Sequence, residues 1–263
     1  MTLYLVICIA SFLISALTLF SGFGLGTLLL PTFSIFFPVN LAVAATAIVH
    51  LANNVFKFFL VGRMADVKVT LKFSIPAVVS AAFGAWLLVR IGKLPLLASY
   101  RLFAHEFEIE PIKLLIGALI GVFALFELIP SLERISLPPK FIPLGGLLSG
   151  FFGGLSGLQG ALRSMFLIRA GLSKEQFVGT TVVSAILVDT SRIVVYGYAL
   201  FGAHLESLKE QWIIYPVIAA ILCAVAGSLL SSRLLKKTTL KTIQRIVGMF
   251  LLFISIALMG GLV

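Results

Sequence analysis

Charged residues are scarce in this sequence, and acidic residues are the scarcest of them. Only 11% of the 263 residues are charged, with ten Asp and Glu against twenty Lys and Arg, whereas a soluble domain carries about 25% charged residues. Hydrophobic residues make up 60% of the chain. Because no water-soluble fold of this length has an interior large enough to bury that excess, the composition excludes a soluble protein and predicts a membrane protein.

Cysteine and clustered metal ligands are also lacking. The two cysteines, Cys8 and Cys223, both lie inside apolar runs, where a thiol packs as a small hydrophobic group. We therefore expect no disulfide framework and no metal site. The sequence also has no phosphate-binding loop of the Walker kind. It predicts no cofactor and no enzymatic activity, because an intramembrane enzyme needs a nucleophile beside a base and no Ser or Cys has an evident partner.

Eight apolar runs follow one another along the chain, separated by short connections. Each approaches the length of about 20 residues that crosses a hydrocarbon core. The sequence therefore predicts an all-α fold, a polytopic transmembrane helix bundle of about eight spans in the cell membrane, with the lipid bilayer as its surroundings. The runs cover residues 3–20, 41–61, 73–90, 112–130, 141–168, 177–200, 213–230 and 243–262.

The net charge of +10 indicates membrane orientation here, and no nucleic-acid partner is expected. Basic residues cluster in the connections, where they hold a bundle's orientation, and the cluster at 233–245 is expected inside. Counting eight spans back from it places both termini outside. The same count places the loop with Arg63, Lys68 and Lys72 outside, against the rule that basic loops stay in the cytoplasm.

Self-similarity within the chain predicts two duplicated halves, residues 1–130 and 131–263. The glycine-rich segment 21–27 matches segment 154–160, and polar residues recur in the same order after each. Duplicated halves are a common transporter architecture, with the substrate bound between them near the midplane of the membrane. The matched pairs include Gly24 with Gly157, Thr46 with Thr181, Asn54 with Asp189 and Lys57 with Arg192.

Each glycine-rich segment interrupts an apolar stretch that is longer than one span requires, which predicts a helix, a break and a second, shorter helix. We expect Gly24, Gly26 and Gly157 to line a central site, because non-helical backbone at membrane depth survives only where protein or a water-filled cavity satisfies it. Alternatively, these glycines only allow close helix packing. Re-entrant hairpins at the breaks would make the halves inverted, whereas four full spans per half would make them parallel.

Ionisable residues inside the spans point to an anion. Each costs about 2.5 to 3.5 kcal/mol on insertion scales and therefore needs a reason. Lys57, Arg163 and Arg192 set against Asp189 leave a surplus of two positive charges, and the forked donors of Arg match oxyanions. Proton coupling through His50 or Asp189 is a further expectation. The neutral groups expected in the site are His50, Asn53, Asn54, Gln159, Thr180 and Thr181.

Several of these residues have a structural alternative. Asp189 and Arg192 are three residues apart on one helix face and can simply neutralise each other. Lys57 is four residues from the end of its run and can extend to the interface. His50 can be a packing histidine, and the two threonines can bond their own helix backbone.

Segment 22–31 reads GFGLGTLLLP, segment 44–50 reads AATAIVH and is followed by Asn53 and Asn54, and segment 150–157 reads GFFGGLSG. In these motifs the sequence resembles the TauE/SafE family of sulfite exporters, over nearly its whole length. The resemblance implies a duplicated membrane protein of seven or eight spans that exports sulfite, organosulfonates or related sulfur anions. Segment 158–164 departs from the family pattern with an amide and a cation, which indicates a subgroup with another anion, carboxylate or sulfonate bearing.

The sequence therefore predicts a secondary transporter that exports a small anion by alternating access around a midplane site. An inside-negative membrane potential drives an anion outward, at about 2.3 kcal/mol per charge and 100 mV. The alternative within transport is a permease for a cation, a metal or another small solute. Alternatives of another class are a non-transporting assembly subunit and an intramembrane enzyme. Assembly into a homo-oligomer stays open.

Overall fold

The chain folds into a bundle of α-helices with one β-hairpin. The computed structural model describes residues 2–18, 25–102, 105–129, 136–202, 213–234 and 241–262. In chain order its elements are α1 (Thr2–Thr18), α2 (Leu25–Ser34), α3 (Val39–Val61), α4 (Val67–Ile91), β1 (Ala98–Leu102), β2 (His105–Ile109), α5 (Pro111–Leu128), α6 (Ile142–Ser156), α7 (Gly160–Leu167), α8 (Lys174–Gly202), α9 (Ile214–Leu234) and α10 (Lys241–Met259), with 3-10 turns at Gly62–Met64 and Pro139–Phe141.

The helices have the length and surface of membrane-spanning segments. Segments Val39–Met64, Val67–Ile91 and Lys174–Ala199 are long and apolar enough to cross a bilayer, and shorter apolar segments lie in α1, α5, α9 and α10. Large apolar side chains point outward, for example Tyr198 at 84% and Phe59 at 78% exposure. This outward apolar surface suits lipid, and the predicted class of helical membrane bundle is confirmed.

The β-hairpin marks one end of the bundle, which we call the hairpin end. A surface cavity of about 440 Å³ brings Ser34 of α2, Val39 of α3, Gly92 after α4 and Ile112 of α5 together there. Helix α3 therefore starts at the hairpin end. Helix α8 runs antiparallel to it, because His50 contacts Asp189 while Gly179 lies against the backbone at the far end of α3.

Helices α6 and α7 form a re-entrant hairpin. Helix α6 starts at the opposite end of the bundle, runs in the same direction as α4 and ends about two-thirds of the way along it, where Leu155 lies beside Gly84. After a turn at residues 157–159, α7 returns to the end from which α6 started, since Phe166 lies against Gly145 and Met165 accepts a hydrogen bond from Leu137. Three glycines of α6 lie on the α4 backbone, namely Gly146 on Phe73, Gly150 on Ala77 and Gly154 on Ala81.

Helices α1 and α2 follow the same plan from the hairpin end. Helix α10 finishes at that end, where the Tyr100 hydroxyl of β1 donates to the carbonyl of Gly260, so α9 finishes at the opposite end. Helix α1 runs in the same direction as α9, because Cys8 lies beside Cys223 and Ser15 is bonded to Ser228 at 2.7 Å. Helix α1 therefore enters the bundle at the hairpin end. Helix α2, which ends there, leaves the bundle at the same end.

The two re-entrant segments change the predicted topology. A count of eight full spans predicts that the loop with Arg63, Lys68 and Lys72 and the basic connection between α9 and α10 lie on different sides of the membrane. The structure places this loop, the end of α9 and the start of α10 all at the opposite end of the bundle, because each broken segment returns to the end from which it started. Both described chain ends, Thr2 of α1 and Leu262 after α10, lie at the hairpin end, so the prediction that they share a side agrees with the structure.

The β-hairpin is an addition to the predicted all-α fold. It pairs Tyr100 with Phe107 and Arg101 with Glu106, and the two aromatic rings stack with centroids 5.4 Å apart. Such cross-strand pairs stabilise a short hairpin by a few tenths of a kcal/mol to about 1 kcal/mol each. Two strands of five residues inside a charged connection give only a weak period-two pattern, which is why the sequence prediction missed them.

Substituting a glycine on the α4–α6 contact is expected to destabilise the bundle. A Cβ at Gly150 would overlap the carbonyl oxygen of Ala77, whereas a Cβ at Gly197 of α8 would meet open space. Gly150→Ala should lower the free energy of unfolding by about 1 to 3 kcal/mol. The control Gly197→Ala should leave it unchanged or raise it by up to about 1 kcal/mol. Thermal unfolding of both variants in detergent tests this, and equal melting temperatures would contradict it.

Candidate functional site

A buried carboxylate is the centre of the polar interior. Asp189 of α8 is fully buried and accepts hydrogen bonds from three parts of the chain. His50 Nδ1 of α3 lies 2.6 Å from Oδ2, Gln159 Nε2 lies 3.2 Å from Oδ1, and Arg192 Nε lies 3.0 Å from Oδ1. Because an ionised carboxylate only accepts, the Nδ1 atom of His50 carries the hydrogen. The set of Asp189, His50, Gln159, Arg192 and Arg163 is called the Asp189 network below.

Arg192 forms an ion pair with Asp189 and also caps the C-terminal end of helix α6. Its Nη2 atom lies 2.8 Å from Asp189 Oδ1, and its Nη1 atom donates to the carbonyl oxygen of Gly153 at 3.3 Å. The Tyr196 hydroxyl donates to the carbonyl of Gly154. The last carbonyls of a helix have no partner within it, and the bilayer interior offers no water to replace one. The ion pair between Asp189 and Arg192, which the sequence predicts as a structural alternative, is thus present.

Gly157 forms the turn that brings Gln159 to Asp189. It adopts a left-handed conformation with φ of 82°, which glycine tolerates far better than other residues. A Cβ there would also lie 2.6 Å from Arg192 Nη1. The turn is fixed further by the Ser149 hydroxyl, which donates to the carbonyl of Gln159 at 2.9 Å. Of the first glycine-rich segment, Gly26 lies in the first turn of α2, and Gly24 lies outside the described residues.

Arg163 joins the network through Gln159. It is 3% exposed, and its Nη1 atom donates to Gln159 Oε1 at 3.2 Å, so one amide links the guanidinium to the carboxylate. The guanidinium also lies within electrostatic range of Asp189 and of Lys57. Arg163 thus brings a positive charge to the tip of the α6–α7 hairpin.

Lys57 lies in the interior and does not extend to the interface. Its side chain is 5% exposed. The Asn53 amide is satisfied when its oxygen accepts from Lys57 Nζ at 3.3 Å and its nitrogen faces the hydroxyl of Ser228 at 2.9 Å. Ser15 of α1 bonds the same amide. These four residues, Ser15, Asn53, Lys57 and Ser228, form a second polar cluster one to two turns of α3 away from His50.

The structure brings most of the predicted site residues together, but not all of them. Asn54 Nδ2 lies 3.3 Å from each ring nitrogen of His50. Thr180 is bonded elsewhere, because its hydroxyl accepts from the backbone nitrogen of Asp66 at 3.1 Å. Thr181 donates to its own helix at the carbonyl of Val178, at 2.8 Å. The two threonines therefore lie outside the Asp189 network.

Sequence reasoning missed three residues that the polar interior uses. Tyr196 follows Arg192 by four residues and therefore shares its helix face, which was a usable signal. Ser15 and Ser228 gave none, since hydroxyls are common inside membrane helices and usually bond their own backbone. Their contact spans 213 residues of sequence, so only the fold reveals it.

The buried interior carries a net positive charge. Among the described residues, the charged side chains classed as buried are Lys57, Arg163, Asp189 and Arg192. Three basic side chains less one carboxylate leave a formal surplus of two positive charges. The described part of the chain contains no group of three or more His, Cys, Asp or Glu placed to hold a metal ion.

Comparison with known proteins gives one result. The family model for the sulfite exporter TauE/SafE matches residues 7–258, which is nearly the whole chain. No curated protein and no solved structure matches.

Removing the central carboxylate is expected to destabilise the protein strongly. Asp189→Asn leaves Arg192 as a buried charge without its counter-ion, which costs about 3 to 5 kcal/mol of unfolding free energy. The double variant Asp189→Asn, Arg192→Gln should lose less than the single variant, because it removes the buried charge as well. The control Glu110→Gln breaks a partly exposed pair with Lys113 and should cost less than about 1 kcal/mol. Thermal unfolding in detergent would contradict the argument if the double variant were the least stable.

Proposed function

The chain belongs to the sulfite exporter TauE/SafE family, a family of membrane transporters, and from this premise we propose that it exports a small anion by alternating access around the Asp189 network. The observation that carries the proposal is the buried surplus of positive charge. A buried excess of basic side chains is expensive, so an anion is the ligand that best suits such a site.

Lys57 and Arg163 are the residues proposed to hold the anion. Both are almost completely buried, and each is held by a neutral amide, Asn53 for Lys57 and Gln159 for Arg163. Their like charges repel each other, and an oxyanion between them would replace that repulsion with two charge-assisted hydrogen bonds. Arg192 is proposed to support the site indirectly, because it already neutralises Asp189 and caps α6.

The proposed mechanism uses two halves, residues 1–130 and 131–263, of inverted orientation. It is supported by helix directions, since the sequence match pairs α3 with α8 and these run antiparallel. It is also supported by packing that recurs with the halves exchanged. Gly84 of α4 lies on Phe151 of α6, and Gly227 of α9 lies on Phe12 of α1. Inverted repeats with broken helices are a common basis for alternating access.

The proposed substrate class is a sulfur oxyanion or an organosulfonate, such as sulfite. The family supports sulfur compounds in general. Two residues of the segment that departs from the family pattern, Gln159 and Arg163, lie in the Asp189 network, which supports the view that this segment sets which anion is carried. A site with this excess of positive charge does not favour the alternative, a cation or metal permease.

We further propose the cell membrane as the location, with the hairpin end outside. Basic residues near the membrane favour the cytoplasmic side, and they are more numerous at the opposite end. The opposite end carries Arg63, Lys68, Lys72, Lys140, Arg169 and Lys174 together with the start of α10 at Lys241, whereas the hairpin end carries Arg90, Lys93, Arg101 and Lys113.

Labelling of single cysteines tests this orientation. In a chain with Cys8→Ala and Cys223→Ala, Leu97→Cys at the hairpin end should react with a membrane-impermeant maleimide on intact cells. Lys68→Cys at the opposite end should react only after the cells are permeabilised. Both native side chains are exposed, so access through the membrane decides the result. The reverse labelling pattern would overturn the orientation.

Anion flux tests the proposed site. In liposomes holding radiolabelled sulfite or an alkanesulfonate, Lys57→Gln and Arg163→Gln should each lower efflux at least about tenfold, because hydrogen bonds to charged groups contribute about 1.5 to 3 kcal/mol. The matched controls Lys72→Gln and Arg169→Gln change exposed cations and should leave efflux unchanged. Undiminished efflux in both buried variants would remove the proposed site.

A further inference from the structure

His50 is the one buried group of the Asp189 network that can change its charge without breaking a salt bridge. Its Nδ1 atom is engaged with Asp189, so the neutral ring has its lone pair on Nε2, 3.3 Å from the Asn54 amide nitrogen. This lone pair can accept a second proton when the amide turns its oxygen toward the ring. His50 is 8% exposed. Histidine is also the side chain whose charge changes most readily near neutral pH.

Asp189 does not need the charge of a protonated His50. Arg192, three residues away on α8, already supplies a full positive charge at 2.8 Å, and Gln159 supplies a further donor. The contact of 2.6 Å between His50 and Asp189 therefore holds the imidazole in place on a carboxylate that is already neutralised. Other charged groups near the imidazole can therefore influence whether His50 is protonated.

Three charged groups lie around His50, of which two oppose a second proton and one favours it. Arg192 on α8 and Arg163 on α7 both repel a positive imidazole, and Asp189 alone attracts it. Within α3, Asn54 contacts the ring, and Lys57 follows two turns later. Helix α2 has no ionisable residue, and the charged residues of α5 and α9 lie near the ends of those helices, namely Lys113, Glu127 and Arg233.

We propose that His50 binds a proton together with the transported anion, so that the proton is a co-substrate of this transporter. An anion held by Lys57 and Arg163 would offset the repulsion between a protonated His50 and the two guanidinium groups near it. By linkage, the proton would then tighten anion binding by the same factor by which the anion tightens proton binding. The inference rests on the proposed function, since it requires an anion at the Asp189 network.

The sign of the coupling follows from this electrostatic argument. Because the proton and the anion attract each other in the site, they bind together. We therefore expect symport of the two, and antiport is disfavoured. For a singly charged anion the transported pair is neutral, and the membrane potential does not drive it. For a doubly charged anion one negative charge remains, and an inside-negative potential still favours export.

The test uses an alkanesulfonate, because its charge does not change over the pH range in which histidine titrates. Binding to the purified protein in detergent is measured by calorimetry in buffers of different ionisation enthalpy. Wild type should take up about one proton per bound sulfonate near neutral pH and bind it at least about tenfold more tightly at about pH 5 than at about pH 8. In liposomes, sulfonate flux should carry protons that an internal pH dye reports.

The variant His50→Asn isolates the proposed residue. The Asn amide nitrogen can take the place of Nδ1 and donate to Asp189, but it cannot gain a proton. The variant should take up no proton on binding sulfonate, and its binding and remaining flux should not depend on pH. His105→Asn, in strand β2 of the hairpin, is the matched control and should keep the wild-type proton uptake and pH profile.

The outcomes separate this inference from the proposed function. Sulfonate binding and flux without proton uptake in wild type would overturn the role of the proton and leave the anion transporter in place. Proton uptake that persists in His50→Asn would overturn the assignment to His50. If wild type binds and carries neither sulfonate nor sulfite, the proposed function itself fails, and the inference fails with it. Where only sulfite binds, equal proton uptake by wild type and His50→Asn would overturn the assignment to His50.

Discussion

The hydrogen-bonded carboxylate of Asp189 is the interaction on which the rest of the interior depends. A lone carboxylate in a membrane is costly, and this one is satisfied by Arg192 on its own helix, His50 on α3 and Gln159 at the tip of the α6–α7 hairpin. Three separate parts of the chain therefore meet at one residue. The position of the hairpin tip, the orientation of the imidazole and the placement of Arg163 all follow from that meeting.

The end of helix α6 inside the membrane explains why the Asp189 network contains so many polar groups. A helix that stops in the middle of a bilayer leaves its final carbonyls without water, and α6 solves this with donors from α8, Arg192 and Tyr196. The same guanidinium then needs a counter-ion, which Asp189 provides. Part of the buried charge thus serves the fold, and Lys57 and Arg163 are the residues proposed to hold the anion.

The sequence was sufficient for the membrane class, the family and the break at Gly157, because composition, motifs and glycine spacing are local signals. It also identified the polar residues of α3 and α8 that meet in the structure. It could not give the directions of the helices, since a re-entrant segment and a full span have the same apolar composition. It could not distinguish the roles of Arg192 and Arg163 either. Arg192 caps the C-terminal end of α6 through the carbonyl of Gly153, which lies 39 residues away in sequence, and Arg163 does not. The β-hairpin and the polar cluster at Ser15 depend on contacts between distant segments.

The packing of α1 against α9 has a consequence for how the protein is made. Ser15 and Ser228 touch across 213 residues, so the first helix enters the bilayer long before its principal partner has been synthesised. Until then its polar side chains must tolerate lipid, water or a temporary neighbour such as a helper protein of the insertion machinery. Biogenesis of this fold is therefore completed after translation has nearly finished, because α1 cannot assume its final packing before α9 has been made.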